Sequence, residues 1–142
     1  MANTCHNMHA CLFFTAQAFC RSLSRLADEE FAPTGLAPSQ TYLLMIIVEN
    51  PAITQKELGE HMQLAPSTIT RFMDSLVRRK FVTKESAGKL VKVTATEAGL
   101  AMAPVIQAAW AKMYQRYADA LGKEQGDDLA LRLDQAATML DS

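Results

Sequence analysis

Hydroxyl and basic side chains are concentrated in one short segment, LAPSTITRFMDSLVRRK, which covers residues 64–80. Arginine can bond guanine O6 and N7 together, and serine and threonine hydroxyls can bond either base edges or phosphate. Clustered cations attract phosphates whatever the base sequence. The segment therefore indicates nucleic-acid binding, with its hydroxyls and its first arginine as candidates for recognition. Those candidates are Ser67, Thr68, Thr70 and Arg71.

Positive charge is distributed unevenly along the chain, whose formal net charge is -1. Residues 54–92 contain eight Lys or Arg and four Asp or Glu, a balance of +4, whereas the rest has six against eleven, a balance of -5. An electropositive surface recruits polyanions locally even on an acidic protein. A solvated face of mixed charge is the alternative interpretation. The cations of the segment are Lys56, Arg71, Arg78, Arg79, Lys80, Lys84, Lys89 and Lys92.

Length and composition are those of one globular unit. The 142 residues, 49% hydrophobic and 20% charged, are enough for one core but too few for two. The longest apolar run, residues 43–48, is too short to span a membrane, and the N-terminus lacks the basic flank of a signal peptide. We therefore expect a cytoplasmic protein. Three cysteines crowded into the first twenty residues do not fit a disulfide framework.

Apolar periodicity predicts a long first helix from near Thr4 to about Glu30, because apolar residues recur at spacings of four, three, four and three. The segment FAPTGLAPS ends this helix, since proline and glycine cannot continue it. Pro38 suits the first turn of a second helix that extends to Glu49. The periodic residues of the first helix are Leu12, Ala16, Phe19, Leu23 and Leu26.

Two further helices match a helix-turn-helix. Thr54 and Glu57 can satisfy each other's free backbone amides in a capping box, which starts a third helix that ends near Met62. Pro66 fits the first position of a fourth helix, whose polar N-terminal half faces outward. In a helix-turn-helix, the second helix offers its N-terminal residues to DNA bases. The predicted inward stripe of the fourth helix is Ile69, Phe72 or Met73, Leu76 and Val77.

An alternating pattern after the fourth helix predicts a β-hairpin wing. Apolar residues at 91, 93 and 95 alternate with Lys92 and Thr94, and a turn at Ala87-Gly88 pairs this strand with residues 81–85. Cations on such a wing could meet phosphates or enter a minor groove. The wing cations are Lys84, Lys89 and Lys92.

The last third of the chain predicts two more helices, Glu97 to about Leu121 and Glu124 to about Leu140, separated by Gly122. The final helix has an apolar stripe that needs a partner surface. The preceding helix has an aromatic stripe, which is typical of a core or a dimer interface and has a ligand cage as its alternative. The apolar stripe is Leu129, Leu133, Ala136 and Leu140, and the aromatic stripe is Trp110, Tyr114 and Tyr117.

The order and spacing of these motifs resemble the MarR family of bacterial transcription regulators. The family also has a long first helix and two C-terminal helices, so the resemblance spans nearly the whole chain. The matching motifs are GLxxxQ at 35–40, TQKELG at 54–59, PSTITR at 66–71, LVRR at 76–79 followed by Phe81-Val82, and TEAG at 96–99.

The resemblance implies a mainly α, winged helix-turn-helix homodimer that binds an inverted repeat in double-stranded DNA and responds to a small ligand. It implies one MarR-like domain over residues 1–142, with a DNA-binding region at 37–96 and a helical dimerisation region at 4–36 and 97–142. From the residues themselves we expect no cofactor, no metal, no membrane association and no catalytic residue.

The resemblance also assigns roles to particular residues. Ser67, Thr68, Thr70 and Arg71 are expected to face the DNA, with Arg71 as the main base reader. Arg78 and Arg79 are expected to complement the helix C-terminus or to touch phosphate. Effectors are expected between the dimer helices and the DNA-binding region, with core packing as the alternative role of each candidate. The effector candidates are Phe13, Gln17, Tyr42 and Met45.

Three positions depart from the family pattern. The wing turn, residues 86–89, is short and has no arginine, the side chain with which relatives enter the minor groove. Lys80 stands where the recognition helix commonly ends in glycine, and a lysine is strained there if the residue is left-handed. Ala65 stands where an acidic N-cap is common, so the capping bond is expected to be missing.

Sulfur and imidazole side chains cluster near the N-terminus. On a helix Cys5 and His9 lie one turn apart, and thiolate with imidazole can bind a soft metal. Chain termini often fray and no fourth ligand is evident, so we expect no metal site. Peroxide-sensing relatives use a cysteine at a position that falls on Phe13 here, so that role does not transfer to Cys11. Cys20 is predicted to be a small apolar core residue. The cluster is Cys5, His6, Met8, His9 and Cys11.

No catalytic constellation is visible in the sequence. It has no phosphate-binding glycine loop and no paired carboxylates beside a histidine, and His61 is isolated. The competing function is a winged-helix protein-interaction module without sequence-specific DNA binding. Such a module would show fewer cations and more exposed apolar residues on the wing and on the fourth helix.

Overall fold

The computed structural model describes residues 7–142, and these form six α-helices and one three-stranded antiparallel sheet. A 3₁₀ turn, Ala32–Thr34, joins the first two helices. The predicted mainly α, winged helix-turn-helix fold is confirmed. The elements are α1 (Leu12–Phe31), α2 (Pro38–Glu49), β1 (Ile53–Thr54), α3 (Gln55–Met62), α4 (Pro66–Arg78), β2 (Val82–Ala87), β3 (Leu90–Ala95), α5 (Glu97–Leu121) and α6 (Lys123–Leu140).

Helix α1 begins later than predicted, at Leu12, so the predicted helix is wrong for residues 7–11. The side-chain oxygen of Asn7 accepts a hydrogen bond from the backbone N–H of His9 at 3.1 Å. The backbone carbonyl of Asn7 accepts a second bond from the N–H of Ala10 at 2.9 Å. These local bonds close a turn that competes with the helix. The predicted start at Thr4 lies outside the described residues.

The turn between α1 and α2 is fixed by one buried hydroxyl. Thr34 Oγ1 donates to the carbonyl of Phe31 at 2.6 Å and accepts from the N–H of Leu36 at 3.0 Å. Gly35 between them is left-handed, with φ of 67°, a conformation in which a Cβ is penalised. The turn ends at Pro38, which begins α2 as predicted.

Helix α2 contributes four buried side chains to one continuous core. The same core receives the inward faces of α3, α4 and α5 and the inner face of the sheet. Because α4 is buried on one side by this core, its opposite face is held in a fixed direction. The core residues are Leu36, Leu43, Leu44, Met45, Ile47, Ile53, Leu58, Ile69, Met73, Leu76, Val82, Val93 and Ile106.

The sheet has the strand order β1-β3-β2. Sequence analysis missed β1, because two residues are too few to show alternation. Ala87 pairs with Leu90, which leaves Gly88 and Lys89 as the turn, one residue later than predicted. Gly88 has a φ of 64°, as tight hairpin turns require.

Helices α5 and α6 form where they were predicted, with α6 starting one residue earlier. The guanidinium of Arg116 on α5 joins α1 by ion pairs to Glu29 at 2.7 Å and Glu30 at 2.9 Å. Every residue of α6 from Leu131 onward is exposed. A single protomer therefore leaves the apolar stripe of this helix largely uncovered.

Within residues 7–142, no single helix is both long and apolar enough to cross a membrane. The segments 12–34 and 38–49 reach that length and composition only when taken together, across a bend of 56°.

Candidate nucleic-acid interface

Helix α4 has one face in the core and one face in solvent. Ile69, Met73 and Leu76 are buried, as predicted, whereas Phe72 is half-buried and Val77 is exposed, so the predicted stripe is wrong at Val77. Residues spaced by three or four positions share a helix face, which places the exposed polar residues on one stripe. We call this stripe the reading surface. It consists of Ser67, Thr70, Arg71, Asp74 and Arg78, and Thr68 lies half-buried at its flank.

Two side-chain contacts fix α4 against the neighbouring helices. Gln55 at the start of α3 donates from Nε2 to Thr70 Oγ1 at 2.8 Å. Thr70 Oγ1 in turn donates to the carbonyl of Pro66 at 3.0 Å. Gln40 of α2 donates to Ser75 Oγ at 3.1 Å. Thr70, predicted to face DNA, therefore already has a role in holding the helix-turn-helix together.

The turn into α4 shows the predicted departure at its N-cap. Ala65 occupies the N-cap position and has no side-chain oxygen to offer the first backbone amides. The helix that precedes it is capped well: Thr54 Oγ1 accepts from the N–H of Glu57 at 3.1 Å, and the Glu57 carboxylate accepts from the N–H of Thr54 at 2.9 Å. Hydrogen bonding from Thr54 to this carboxylate holds the pKa of Glu57 below its usual range. The predicted capping box is confirmed.

The C-terminal end of α4 is connected to the α1–α2 turn. The guanidinium of Arg79 donates to the carbonyl of Gly35 and lies over the ring of Phe81 at 5.2 Å. This contact with the α1–α2 turn was not among the roles predicted for Arg79, which were to complement the helix C-terminus or to touch phosphate. Lys80 is left-handed, with φ of 62°, so the strain predicted at this position is present. Arg78 is exposed at the end of the reading surface.

The three wing lysines have three different surroundings. Lys84 lies opposite Val93 in the strand register, so it shares the inner face of the sheet with a buried side chain. Its ammonium group reaches Asp74 Oδ1 on α4 at 2.8 Å. Lys92 lies on the outer face, directly opposite Glu85. Lys89 is exposed in the turn at the tip of the wing.

Sequence analysis missed the role of Asp74, which lies on the reading surface between Arg71 and Arg78. Part of the signal was in the alternation of the wing strand. Val91, Val93 and Ala95 were predicted to face one side of the strand, and in the observed register Lys84 lies opposite Val93 and shares that face. An acid on the adjacent helix is the natural counterion for a lysine so placed.

The effector candidates do not come together in one cavity. Tyr42 is partly exposed and stacks on Trp110 with ring centroids 4.8 Å apart. Burial and the nearby Tyr117 raise the pKa of Tyr42. Met45 is buried in the core, whereas Phe13 and Gln17 are exposed on α1.

The aromatic stripe of α5 is partly covered within the protomer. Tyr114 and Tyr117 pack edge to face with centroids 5.1 Å apart, and Tyr114 Oη donates to the carboxylate of Asp127 on α6 at 3.1 Å. The buried indole N–H of Trp110 finds no acceptor among the described residues. Burial and the Asp127 contact raise the pKa of Tyr114.

The cysteines differ from prediction at one position. Cys20 is exposed, so its predicted place in the core is wrong: the helix turns that position away from α2 and α5. Cys11 is buried at the N-cap of α1. Across residues 7–142, no group of three or more His, Cys, Asp or Glu side chains is placed to hold a metal ion. Cys5 and His6 lie outside the described residues.

The arrangement of α3, α4 and the β2–β3 hairpin defines a winged helix-turn-helix protein. The sequence model of the MarR family matches residues 36–87, from just before α2 to the end of β2. Over this segment the chain is similar to the MarR family.

One curated relative and several solved structures are similar to the chain. An HTH-type transcriptional regulator of Bacillus subtilis, YybA, is 30% identical over 90 residues, which cover 61% of this chain and 60% of that protein. The chain therefore matches somewhat under two thirds of that relative's length. Staphylococcus aureus MepR in complex with DNA has a TM-score of 0.79 at 14% identity, covering 92% of this chain and 98% of MepR. CouR from Rhodococcus jostii RHA1, bound to p-coumaroyl-CoA, has a TM-score of 0.77 at 20% identity, covering 92% and 94%.

Proposed function

We propose that the protein is a transcriptional regulator that binds double-stranded DNA as a homodimer on an inverted repeat and responds to a small ligand. The observation that carries the proposal is the reading surface on α4. It presents hydroxyls and two arginines to solvent, and the helix is fixed from behind by buried Ile69, Met73 and Leu76. A rigid helix with exposed hydrogen-bonding groups is suited to the major groove.

The proposed contacts divide into base reading and phosphate binding. Arg71 is exposed near the N-terminal half of α4 and can bond a guanine edge, with Ser67 one turn before it and Thr68 at the flank. Arg78 and the wing tip Lys89 supply sequence-independent attraction. Lys84 and Lys92 add positive potential near the wing, although Lys84 is paired with a carboxylate of α4 and Lys92 lies opposite a glutamate of β2. Thr70 contributes by fixing the helix.

The exposed surface of the wing supports DNA rather than a protein partner. After buried Val82, the outward residues of β2 are mostly polar or small, and Leu90 is the large apolar residue exposed on β3. A protein-docking wing would present a larger apolar patch.

A homodimer is supported by the apolar surface that α1 and α6 leave uncovered. Leu12 is 72% exposed and Leu140 is 80% exposed. A stable monomer rarely leaves several large apolar side chains this exposed. An apolar groove of about 300 Å³ also opens between α1, α5 and α6, lined among others by Phe19, Leu23 and Leu133. We propose residues 4–36 and 97–142 as the dimerisation region and residues 37–96 as the DNA-binding region.

A ligand-responsive role is supported by one relative and by one local feature. CouR is bound to p-coumaroyl-CoA in its crystal structure. In this chain, Tyr42 of α2 stacks on Trp110 of α5, so an aromatic pair joins the DNA-binding region to the proposed dimer helices. We place the effector near this pair, with Phe13 and Gln17 on α1 as further candidates; buried Met45 would act by packing behind Tyr42.

The proposal is tested by selecting duplexes from a random pool with the purified full chain, followed by sequencing and light scattering of the complex. The expected result is an enriched inverted repeat with half-sites about 10 base pairs apart, bound by two protomers. Binding with no enriched sequence would contradict sequence-specific regulation, and a monomer at micromolar concentration would contradict the dimer.

A further inference from the structure

An acidic residue lies in the middle of the surface that we propose meets DNA. Asp74 is the one acid in the sequence of α4, and it follows Arg71 by three residues and precedes Arg78 by four. Its side chain is 56% exposed, on the same stripe as the two arginines. A carboxylate directed at a polyanion weakens binding unless its charge is neutralised or its acceptor oxygens are used.

The structure provides the neutralising charge. The ammonium group of Lys84 lies 2.8 Å from Asp74 Oδ1, and the lysine side chain is only 28% exposed. Lys84 reaches this position because its stem follows the inner face of the sheet beside buried Val82 and Val93. Lys84 bonds Oδ1 of Asp74 alone, so this ion pair leaves the second carboxylate oxygen unused. An acceptor therefore stays available on the reading surface while its charge is offset.

We propose that Asp74 is a specificity-determining residue that accepts a hydrogen bond from the exocyclic amino group of cytosine; this inference rests on the proposed DNA-binding function. Asp and Glu accept from cytosine N4 in the major groove, whereas guanine O6 and N7 and thymine O4 repel them. Asp74 thus favours cytosine both by attraction and by rejection of acceptor-bearing edges.

The spacing fixes where this cytosine lies. Residues three apart on a helix have Cβ atoms about 5–6 Å apart. Successive base pairs are about 3.4 Å apart. Asp74 therefore reads a base pair one or two steps from the guanine contacted by Arg71, and each half-site carries both.

A purely structural role for the ion pair makes a different prediction. Exposed ion pairs of this kind contribute little to stability. If Asp74 only holds the wing through Lys84, then removing either partner should have the same effect on DNA binding. If Asp74 reads a base, removing its charge should change base preference, whereas removing Lys84 should weaken binding to all sequences alike.

The experiment measures binding of full-length variants to the selected operator and to its single-base substitutions by fluorescence anisotropy. The variants are Asp74→Asn, Lys84→Ala and the matched control Asp128→Asn. Asp128 lies on α6, is 55% exposed and bonds Arg132 at 2.7 Å. The control variant therefore loses an exposed ion pair that lies away from the reading surface. Selection with each variant from the random pool is run in parallel.

The expected result is that Asp74→Asn loses about tenfold in cytosine preference at one position per half-site and shifts that position toward adenine, which asparagine reads through N6 and N7. Lys84→Ala should keep the base preference, and Asp128→Asn should match the wild type. An unchanged preference in Asp74→Asn, or an equal change in Lys84→Ala, overturns the inference. Failure of the wild type itself to select any sequence would instead refute the proposed function.

Discussion

Gly99, at the start of α5, lies against the backbone of Phe81, which closely follows α4, and its replacement by alanine should destabilise the fold. A Cβ at this position would lie 2.1 Å from the carbonyl oxygen of Phe81, whereas real Cβ atoms essentially never approach closer than 3.0 Å. The backbone must therefore shift by about 0.9 Å. The same carbonyl accepts a hydrogen bond from the N–H of Thr96 at 2.9 Å, and the shift would break it.

The magnitude follows from these contacts. Overpacking costs about 1–3 kcal/mol and the lost hydrogen bond about 1 kcal/mol. The higher helix propensity of alanine returns up to about 1 kcal/mol. We expect Gly99→Ala to lower the free energy of unfolding by about 2–3 kcal/mol and to weaken DNA binding, because Phe81 closely follows α4.

Gly59 provides the matched control, since it lies inside α3 with its nearest neighbours 3.9 Å from an added Cβ. Gly59→Ala should stabilise the protein by about 0.5–1 kcal/mol through helix propensity alone. Urea unfolding at equal protein concentration measures both variants, because the stability of the proposed dimer depends on concentration. A Gly99→Ala variant as stable as the wild type would refute the packing described at this junction.

Three further predictions concern strain, pH and assembly. Lys80→Gly should raise the free energy of unfolding in urea by about 1 kcal/mol, because Lys80 is left-handed at φ of 62°; a loss of stability would contradict this. The capping bonds hold the pKa of Glu57 below its ordinary value of 4.5. The stabilisation that Glu57 contributes to the fold is therefore fully present above pH 4.5 and is lost as the pH falls through the lowered pKa. Glu57→Gln should therefore flatten the loss of stability below pH 4.5, and an unchanged pH profile would argue against the capping box. Deleting residues 123–142 should abolish the dimer in light scattering, and a truncated chain that still dimerises would exclude α6 from the interface.

Sequence alone predicted the elements whose ends carry local signals. Thr54 with Glu57, Pro38 and Pro66 mark helix starts through bonds or dihedral angles within four residues, so their positions could be read without a fold. The strain at Lys80 was instead expected from the family resemblance, since relatives commonly have glycine where this helix ends. The start of α1 was missed because the Asn7 turn competes with helix formation, and apolar periodicity does not report such competition.

The candidate site was predictable only as a list of exposed groups. Thr70 and Lys84 were expected to meet DNA, and Arg79 to complement the helix C-terminus or touch phosphate, yet each has a partner elsewhere in the fold. Arg79 bonds a residue 44 positions away, and Thr70 bonds one 15 positions away. Such contacts arise from tertiary packing, which no local pattern encodes.

The central claim, that α4 reads bases while the wing tip contacts phosphate, is tested most directly by comparing Arg71→Ala with Lys89→Ala. Anisotropy titrations across a salt series, on the selected operator and its substitutions, separate the two roles. Arg71→Ala should cost about 1–3 kcal/mol per half-site and relax the preference at one position of each. Lys89→Ala should weaken all sequences alike and lower the salt slope by about one per half-site. If Arg71→Ala leaves affinity and preference intact, or if Lys89→Ala changes the preferred bases, the account is contradicted.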